Sequence, residues 1–215
     1  LATIEKFVRR YTDLPSLIYL LTEKQITLLD PDTWDDKNDS YFLRLYREKN
    51  KLESVFALCF TQNSETYHHW RVFANGPSGV CITFEREKLV RAIRQKGIRT
   101  GCVKYLKVDN TRGVKPATSR LPFLKRYPFE PENEFRIIFC SRAKLGNPHI
   151  PIPLSCIDKI SLSPWLHPSL SSYVKRTLWA IPDCKDLRIV RSTLISNDEW
   201  KHFGDSAVNR SPEKF

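Results

Sequence analysis

Glu132, Glu134 and Arg136 fall at every second position of Glu130-Pro-Glu-Asn-Glu-Phe-Arg-Ile-Ile-Phe-Cys140. On an extended chain that period places two carboxylates and a guanidinium on one face and Phe135 and Ile137 on the other. A carboxylate at the mouth of a cleft can hold a ribose hydroxyl or stabilise a developing oxocarbenium ion, while Arg136 orients a bound acid. The same spacing also suits a Glu–Arg ladder on a sheet face.

Two other segments carry chemistry-bearing side chains. Cys59-Phe60-Thr61 is followed by Tyr67-His68-His69-Trp70 and then by the turn Gly76-Pro-Ser-Gly79. Adjacent histidines on a helix diverge by about 100°, so both cannot face one ligand, and no nucleophile is fixed relative to either. Trp70 with Tyr67 can stack on a planar ring such as nicotinamide or a base, or pack in the core. Between Asp30 and Asp39 five carboxylates fall within ten residues. They lack the spacing, Gly and closing Glu of a calcium loop, so Asx turns and a helix cap account for them and no metal is expected.

The charge is localised. The 215-residue chain has a net charge of +11, and residues 86–126 hold thirteen Lys or Arg against Glu87 and Asp109, which leaves the remainder neutral. Lys88, Arg91 and Arg94 form a basic ridge on a helix expected over Phe84 to Lys96 and ended by Gly97. A strand and a mobile basic loop with Arg112 and Lys115 are expected from Thr100 to Leu124. Such a segment can neutralise the phosphates of nucleic acid or of a dinucleotide, or be a solvated face.

The elements that would position these groups follow from pattern and punctuation. Strands are expected at Ile4–Thr12, Gln25–Leu29, Val55–Phe60, Val80–Phe84, Glu134–Cys140, Ile157–Leu162 and Leu187–Leu194. Helices are expected from Asp13 and Pro15 onward, at Tyr41–Lys51, at Tyr67–Phe73 and at Ser169–Ala180. This mixed order predicts an α+β fold, a single domain over 1–205 with a tail at 206–215, built on a mixed or mainly antiparallel sheet with flanking helices. Hydrophobic content of 41% and charged content of 27% are ordinary for a globular chain. No stretch is long and apolar enough for a membrane span, and Leu1–Lys6 shows no signal-peptide pattern, so a cytoplasmic location with no membrane partner is expected. The six cysteines, never closer than sixteen residues, fit neither a zinc site nor a redox pair and are expected as reduced thiols.

The ordered motifs resemble the bacterial domain-of-unknown-function family 2971. The resemblance runs through Arg10-Tyr-Thr12, Pro31-Asp-Thr-Trp-Asp-Asp36, Cys59-Phe-Thr61 and His69-Trp-Arg-Val-Phe-Ala-Asn-Gly-Pro-Ser-Gly-Val80. It continues in Glu132-Asn-Glu-Phe-Arg136, Ile160-Ser-Leu-Ser-Pro-Trp165 and Arg191-Ser-Thr-Leu194. A second similarity is to the ADP-ribosyltransferase fold, whose NAD-site motifs run in the order Arg or His on a first strand, Ser or Thr on a middle strand, and Glu-x-Glu entering a later one. Arg10, Thr61 and Glu132-Asn-Glu134 match that order. The similarity implies a cofactor site of Arg10, Tyr11, Thr61 and Trp70, with Arg10 on a phosphate and Trp70 on nicotinamide. It implies catalytic Glu134, Glu132 and Arg136, with Glu134 stabilising a ribosyl cation and Glu132 orienting or deprotonating the acceptor. The implied activity is NAD-dependent ADP-ribosyl transfer or NAD cleavage by a toxin or phage-defence effector, the basic segment engaging nucleic acid or an acidic partner. The alternatives are a non-catalytic nucleic-acid-binding module built on residues 86–126 and, third, a metal-dependent nuclease.

Overall fold

Asp13 ends a strand and begins a helix in one step: its carboxylate accepts from the Ser16 N–H at 2.9 Å, and Pro15 fits the first helical turn, where its missing N–H costs nothing. The computed structural model describes residues 5–74 and 76–208; Ile4 and Asn75 of the motifs above, and 209–215 of the expected tail, lie outside them. In chain order the elements are β1 (Phe7–Asp13), α1 (Leu14–Glu23), β2 (Gln25–Thr27), α2 (Lys37–Lys49), β3 (Ser54–Thr61), α3 (Tyr67–Phe73), β4 (Gly79–Glu85), α4 (Arg86–Ala92), β5 (Ile98–Cys102), β6 (Lys104–Leu106), β7 (Leu124–Arg126), β8 (Glu134–Ser141), β9 (His149–Pro151), β10 (Ile157–Leu162), α5 (Pro168–Trp179), β11 (Ile189–Arg191) and α6 (Asp198–Val208).

Seven strands form one sheet in the order β11-β10-β4-β1-β3-β8-β5, antiparallel except for β10 with β11. The fold is therefore α+β on a mainly antiparallel sheet. The interior strand β3 is covered on both faces, which is why Ser54–Thr61 reads as a nearly unbroken apolar run rather than an alternating one. Phe56, Leu58 and Phe60 enter the larger core with Val8, Leu21 and Ile137; Val55 and Ala57 face a smaller one made with Leu43 and Tyr46 of α2.

The sheet is pulled apart at its centre. β1 pairs with β4 at all seven positions from Phe7 to Asp13, but with β3 at only one, Arg9 opposite Thr61. Beyond that pair the strands diverge, and Leu29 takes the ladder place on Ala57 with two bonds of 2.9 Å. Because Thr61 and Ala57 aim their backbone groups to this side, Cys59 between them does too. Its carbonyl meets only the Arg10 guanidinium, at 3.5 Å across the gap.

Three local features differ from the sequence reading. The basic helix spans only Arg86–Ala92, and Gly97 opens β5 rather than closing the helix. Its φ is +89°, and a Cβ there would lie 2.6 Å from the Cys140 carbonyl, against which the chain turns to pair β5 with β8. After β6 two 3-10 turns, Val108–Thr111 and Thr118–Phe123, flank the expected loop, which keeps Arg112 and Lys115 at 112–117. Helix α6 was not expected, and its residues 198–207 are all exposed, Trp200 and Phe203 at 74% and 70%.

Candidate functional site

The divergence of β1 from β3 opens a cleft of about 590 Å³, floored by Ala57 to Thr61 and walled by Arg10 and Tyr11 of β1. His69 and Phe73 of α3 border it on one side, and Trp34, Asp36 and Asp39 of the acidic turn and α2 on another. Lys125 of β7, Phe129, Glu132 and Glu134 complete it. Cross-strand register sets much of this, since Thr61 stands opposite both Arg9 and Glu134.

At the β8 end lies a buried charge network. Arg136 is wholly buried and spends all five N–H bonds on protein: Nε and Nη2 donate to the two Glu134 oxygens at 2.6 and 2.9 Å, Nη1 and Nη2 to the two Asp39 oxygens at 2.8 and 2.6 Å, and Nη1 to the Pro122 carbonyl at 2.9 Å. Lys125 Nζ donates to Glu132 Oε2 at 2.7 Å and lies 3.6 and 3.7 Å from Glu134 and Asp39. Three carboxylates thus share two cations. Burial opposes the Glu134 charge, but Arg136 and Lys125 outweigh it and hold the carboxyl below its ordinary range. For Asp39 and Glu132 burial dominates and raises the pKa despite the same cations. The site therefore contains a fixed anion, Glu134, beside a readier proton carrier, Glu132.

Tyr11 of β1 and His69 of α3 line the cleft next to one another. The Tyr11 hydroxyl interacts with the Cys81 thiol and the Thr66 backbone, and His69 with the Glu132 backbone. The Tyr11 and His69 rings stack at 5.6 Å, and Thr66 Oγ1 engages His69 Nδ1. Burial depresses the His69 pKa and raises that of the Tyr11 hydroxyl, keeping both neutral.

The structure brings together Arg10, Tyr11, Thr61, Glu132 and Glu134, and separates others. Trp70 does not reach the cleft: it is fully buried among Tyr11, Ala74 and Cys81, and its Nε1 donates to Glu65 at 2.7 Å, so no face is free to stack on nicotinamide. Trp34 is the indole that lines the cleft. Arg136, its donors consumed, cannot orient a bound acid and instead holds Glu134. Glu132 lies in a 3-10 turn before β8, and Asn133, at φ +42°, separates it from the strand, so the period of two does not extend to it. Thr61 donates to the Glu132 carbonyl at 2.7 Å and fixes that turn.

None of Lys88, Arg91, Arg94, Arg112 and Lys115 lines the cleft. Lys88 pairs with Glu85 at 2.7 Å, and Arg112, 83% exposed, pairs with Asp109 at 3.2 Å. Lys125, Trp34, His69 and Asp39 went unassigned in the sequence reading. Among the described residues no three His, Cys, Asp or Glu side chains are grouped to hold a metal, and no helix is long and apolar enough to cross a membrane. The acidic turn spends Asp30 on the Asp32 N–H and Asp36 on the first turn of α2.

A split, mainly antiparallel sheet with a polar cleft at its fork is thus the class of fold this sequence builds. In overall fold the chain is similar to DarT of Thermus sp. 2.9 in complex with NAD+, with a TM-score of 0.49 and 7% identity over 89% of this chain and 98% of that one. It is also similar to the same protein in complex with ADP-ribosylated ssDNA, with a TM-score of 0.46 and 8% identity over 87% and 94% of the two chains. No family model and no curated protein matches the chain, so the resemblance to family 2971 rests on the motifs quoted above.

Proposed function

We propose that the cleft binds NAD and serves ADP-ribosyl transfer to a nucleic-acid acceptor, or NAD cleavage when water is the acceptor. The observation that carries this reading is the meeting of Arg10, Thr61, Glu132 and Glu134, drawn from three separated stretches of sequence, around one cavity of a size usual for small-molecule sites. The residues suit a dinucleotide. Arg10 keeps donors for a phosphate beyond its single long bond to the Cys59 carbonyl. Tyr11 and His69 contribute a stacked pair of rings to its lining.

NAD supplies a ribosyl carbon that becomes cationic as neutral nicotinamide departs with the bonding pair. Glu134, ionised and clamped by Arg136, presents fixed negative charge to that carbon at no cost of reorganisation. Glu132 takes the proton that the acceptor loses as its nucleophilic atom bonds the ribosyl carbon. Asp39 and Arg136 act as positioning residues. Lys125 ties the site to the basic segment, whose exposed Arg91, Arg94 and Lys115 supply the phosphate contacts of an acceptor strand. A toxin or phage-defence role is the setting implied by the family resemblance.

A non-catalytic nucleic-acid module explains those exposed cations but gives no purpose to a cleft lined by Arg10, Thr61, Glu132 and Glu134. The test is incubation with labelled NAD, with and without oligonucleotide, comparing the unaltered protein with Glu134→Gln. Nicotinamide release or labelled product that Glu134→Gln abolishes supports transfer chemistry; none under any condition contradicts it.

A further inference from the structure

We propose that the open pocket between α6 and the segment following β11 receives an arginine side chain of a basic partner protein. The pocket has a volume of about 640 Å³, and its lining includes Glu65, Thr193, Leu194, Glu199, Trp200 and Phe203. None of the side chains that line it is basic, although the whole chain carries a net charge of +11. Asn197 sets the geometry: its Oδ1 accepts from the Trp200 N–H at 2.8 Å and its Nδ2 donates to Thr193 Oγ1 at 3.1 Å, so the start of α6 is tied to the opposite wall.

The state of α6 calls for a covering surface. It has eleven residues, and 198–207 are all exposed. A helix shorter than about 12–15 residues is marginal in water unless tertiary packing supports it. Trp200 and Phe203, one turn apart, are the most exposed large apolar side chains among the described residues. Burial of these two rings by a partner supplies the packing that the body of the protein does not.

The chemistry of the pocket selects the partner. The Trp200 and Phe203 rings lie 5.7 Å apart at an angle of 31° and share the pocket with two carboxylates. A guanidinium stacks flat on an aromatic face and pairs with a carboxylate at the same time. Glu199 is available for this, because Lys201, the one Lys or Arg of α6, is held by Asp198 at 3.0 Å and Ser196 at 2.8 Å. Glu65 is already fixed in place, its Oε1 accepting from the Trp70 indole at 2.7 Å and from the Ser192 hydroxyl. A nucleic-acid strand does not suit this surface, since its phosphates would meet both carboxylates.

The test is a chemical-shift titration of the nitrogen-15-labelled full chain with two blocked tripeptides, acetyl-Gly-Arg-Gly-amide and its citrulline counterpart, which keeps the planar group and loses the charge. The positive field of the whole protein opposes the arginine peptide, so a preference for it reports the pocket itself. The expected result is saturable shifts of the 193–207 amides, with the arginine peptide bound at least about fivefold more tightly than the citrulline one. Glu199→Gln and Trp200→Leu change exposed positions, so the rest of the spectrum should stay unaltered while each lowers that preference below about twofold. Equal binding of the two peptides overturns the proposal, as does the absence of shifts in α6 or a preference that survives both substitutions. Shifts of α6 that follow protein concentration without peptide give the pocket to a second copy of the chain and overturn it as well.

Discussion

Asp39 and Arg136, ninety-seven positions apart, face each other through two hydrogen bonds of 2.8 and 2.6 Å in a place closed to solvent. This pair joins the first turn of α2 to β8, and Arg136 in turn grips both oxygens of Glu134. Removing the guanidinium strands two buried carboxylates, and breaking one side of such a pair typically costs about 3–5 kcal/mol. Arg136→Met is therefore expected to lower the unfolding free energy by about that amount in urea melts. Arg136→Lys should recover little, because an ammonium cannot bridge two carboxylates in one plane. A loss below about 1 kcal/mol would show that the tie does not hold the site.

The two indoles nearest the cleft should separate cleanly in experiment. Trp70→Ala removes a fully buried ring and is expected to cost about 3–5 kcal/mol, with NAD affinity unchanged in the fraction that folds. Trp34→Ala should cost less stability and weaken ligand binding by about tenfold. Thermal melts paired with binding titrations check both, and the opposite pattern would restore Trp70 as the stacking residue.

The pH profile should carry the mark of Glu132. Its pKa is raised above the ordinary 4.5 by burial, and its carboxylate must be unprotonated to take the acceptor's proton. The rate should therefore climb with pH along an acid limb lying above 4.5, and Glu132→Gln should remove that limb. Glu134, held below 4.5, stays ionised across it. In stability the two act in opposite senses: the Glu134 contribution is complete above 4.5 and disappears as pH falls through its lowered folded value. Glu132 and Asp39 withdraw stability as pH rises from their ordinary values through their raised ones.

The basic segment should show itself through salt. If exposed Arg91, Arg94 and Lys115 meet phosphates, the triple substitution to Gln should reduce the slope of log affinity against log salt by about 2–3 for single-stranded DNA, whatever its sequence. Fluorescence titrations between 50 and 200 mM salt measure this. An unchanged slope would place the strand elsewhere on the molecule.

How much of this was legible follows from particular residues. The strands around the site were visible because the apolar run at Ser54–Thr61 and the alternation from Glu134 onward are strong local patterns. The helix at Tyr67–Phe73 was visible from its length and flanks. Glu134 and Thr61 could be nominated, and the ladder sets them face to face. What the chain alone did not reveal depends on tertiary packing. Trp70 and Trp34 are chemically alike, and only the packing of α3 on β1 decides which is sealed in the core. Arg136 reads as a ligand-binding cation until Asp39 arrives from α2 to occupy half its donors. Lys125 was counted as one more surface charge because nothing local indicates that β7 aims it at three carboxylates. The fork in the sheet is the least legible feature, since it arises where β1 stops pairing with β3 rather than from any residue type.

Calorimetric titration of NAD into the unaltered protein and into Arg10→Ala measures whether the cleft holds the dinucleotide. Saturable one-to-one binding to the unaltered protein is expected, with affinity reduced at least about tenfold in Arg10→Ala through loss of a charge-assisted phosphate contact. No heat of binding to the folded, unaltered protein, or equal affinity in both, would contradict it.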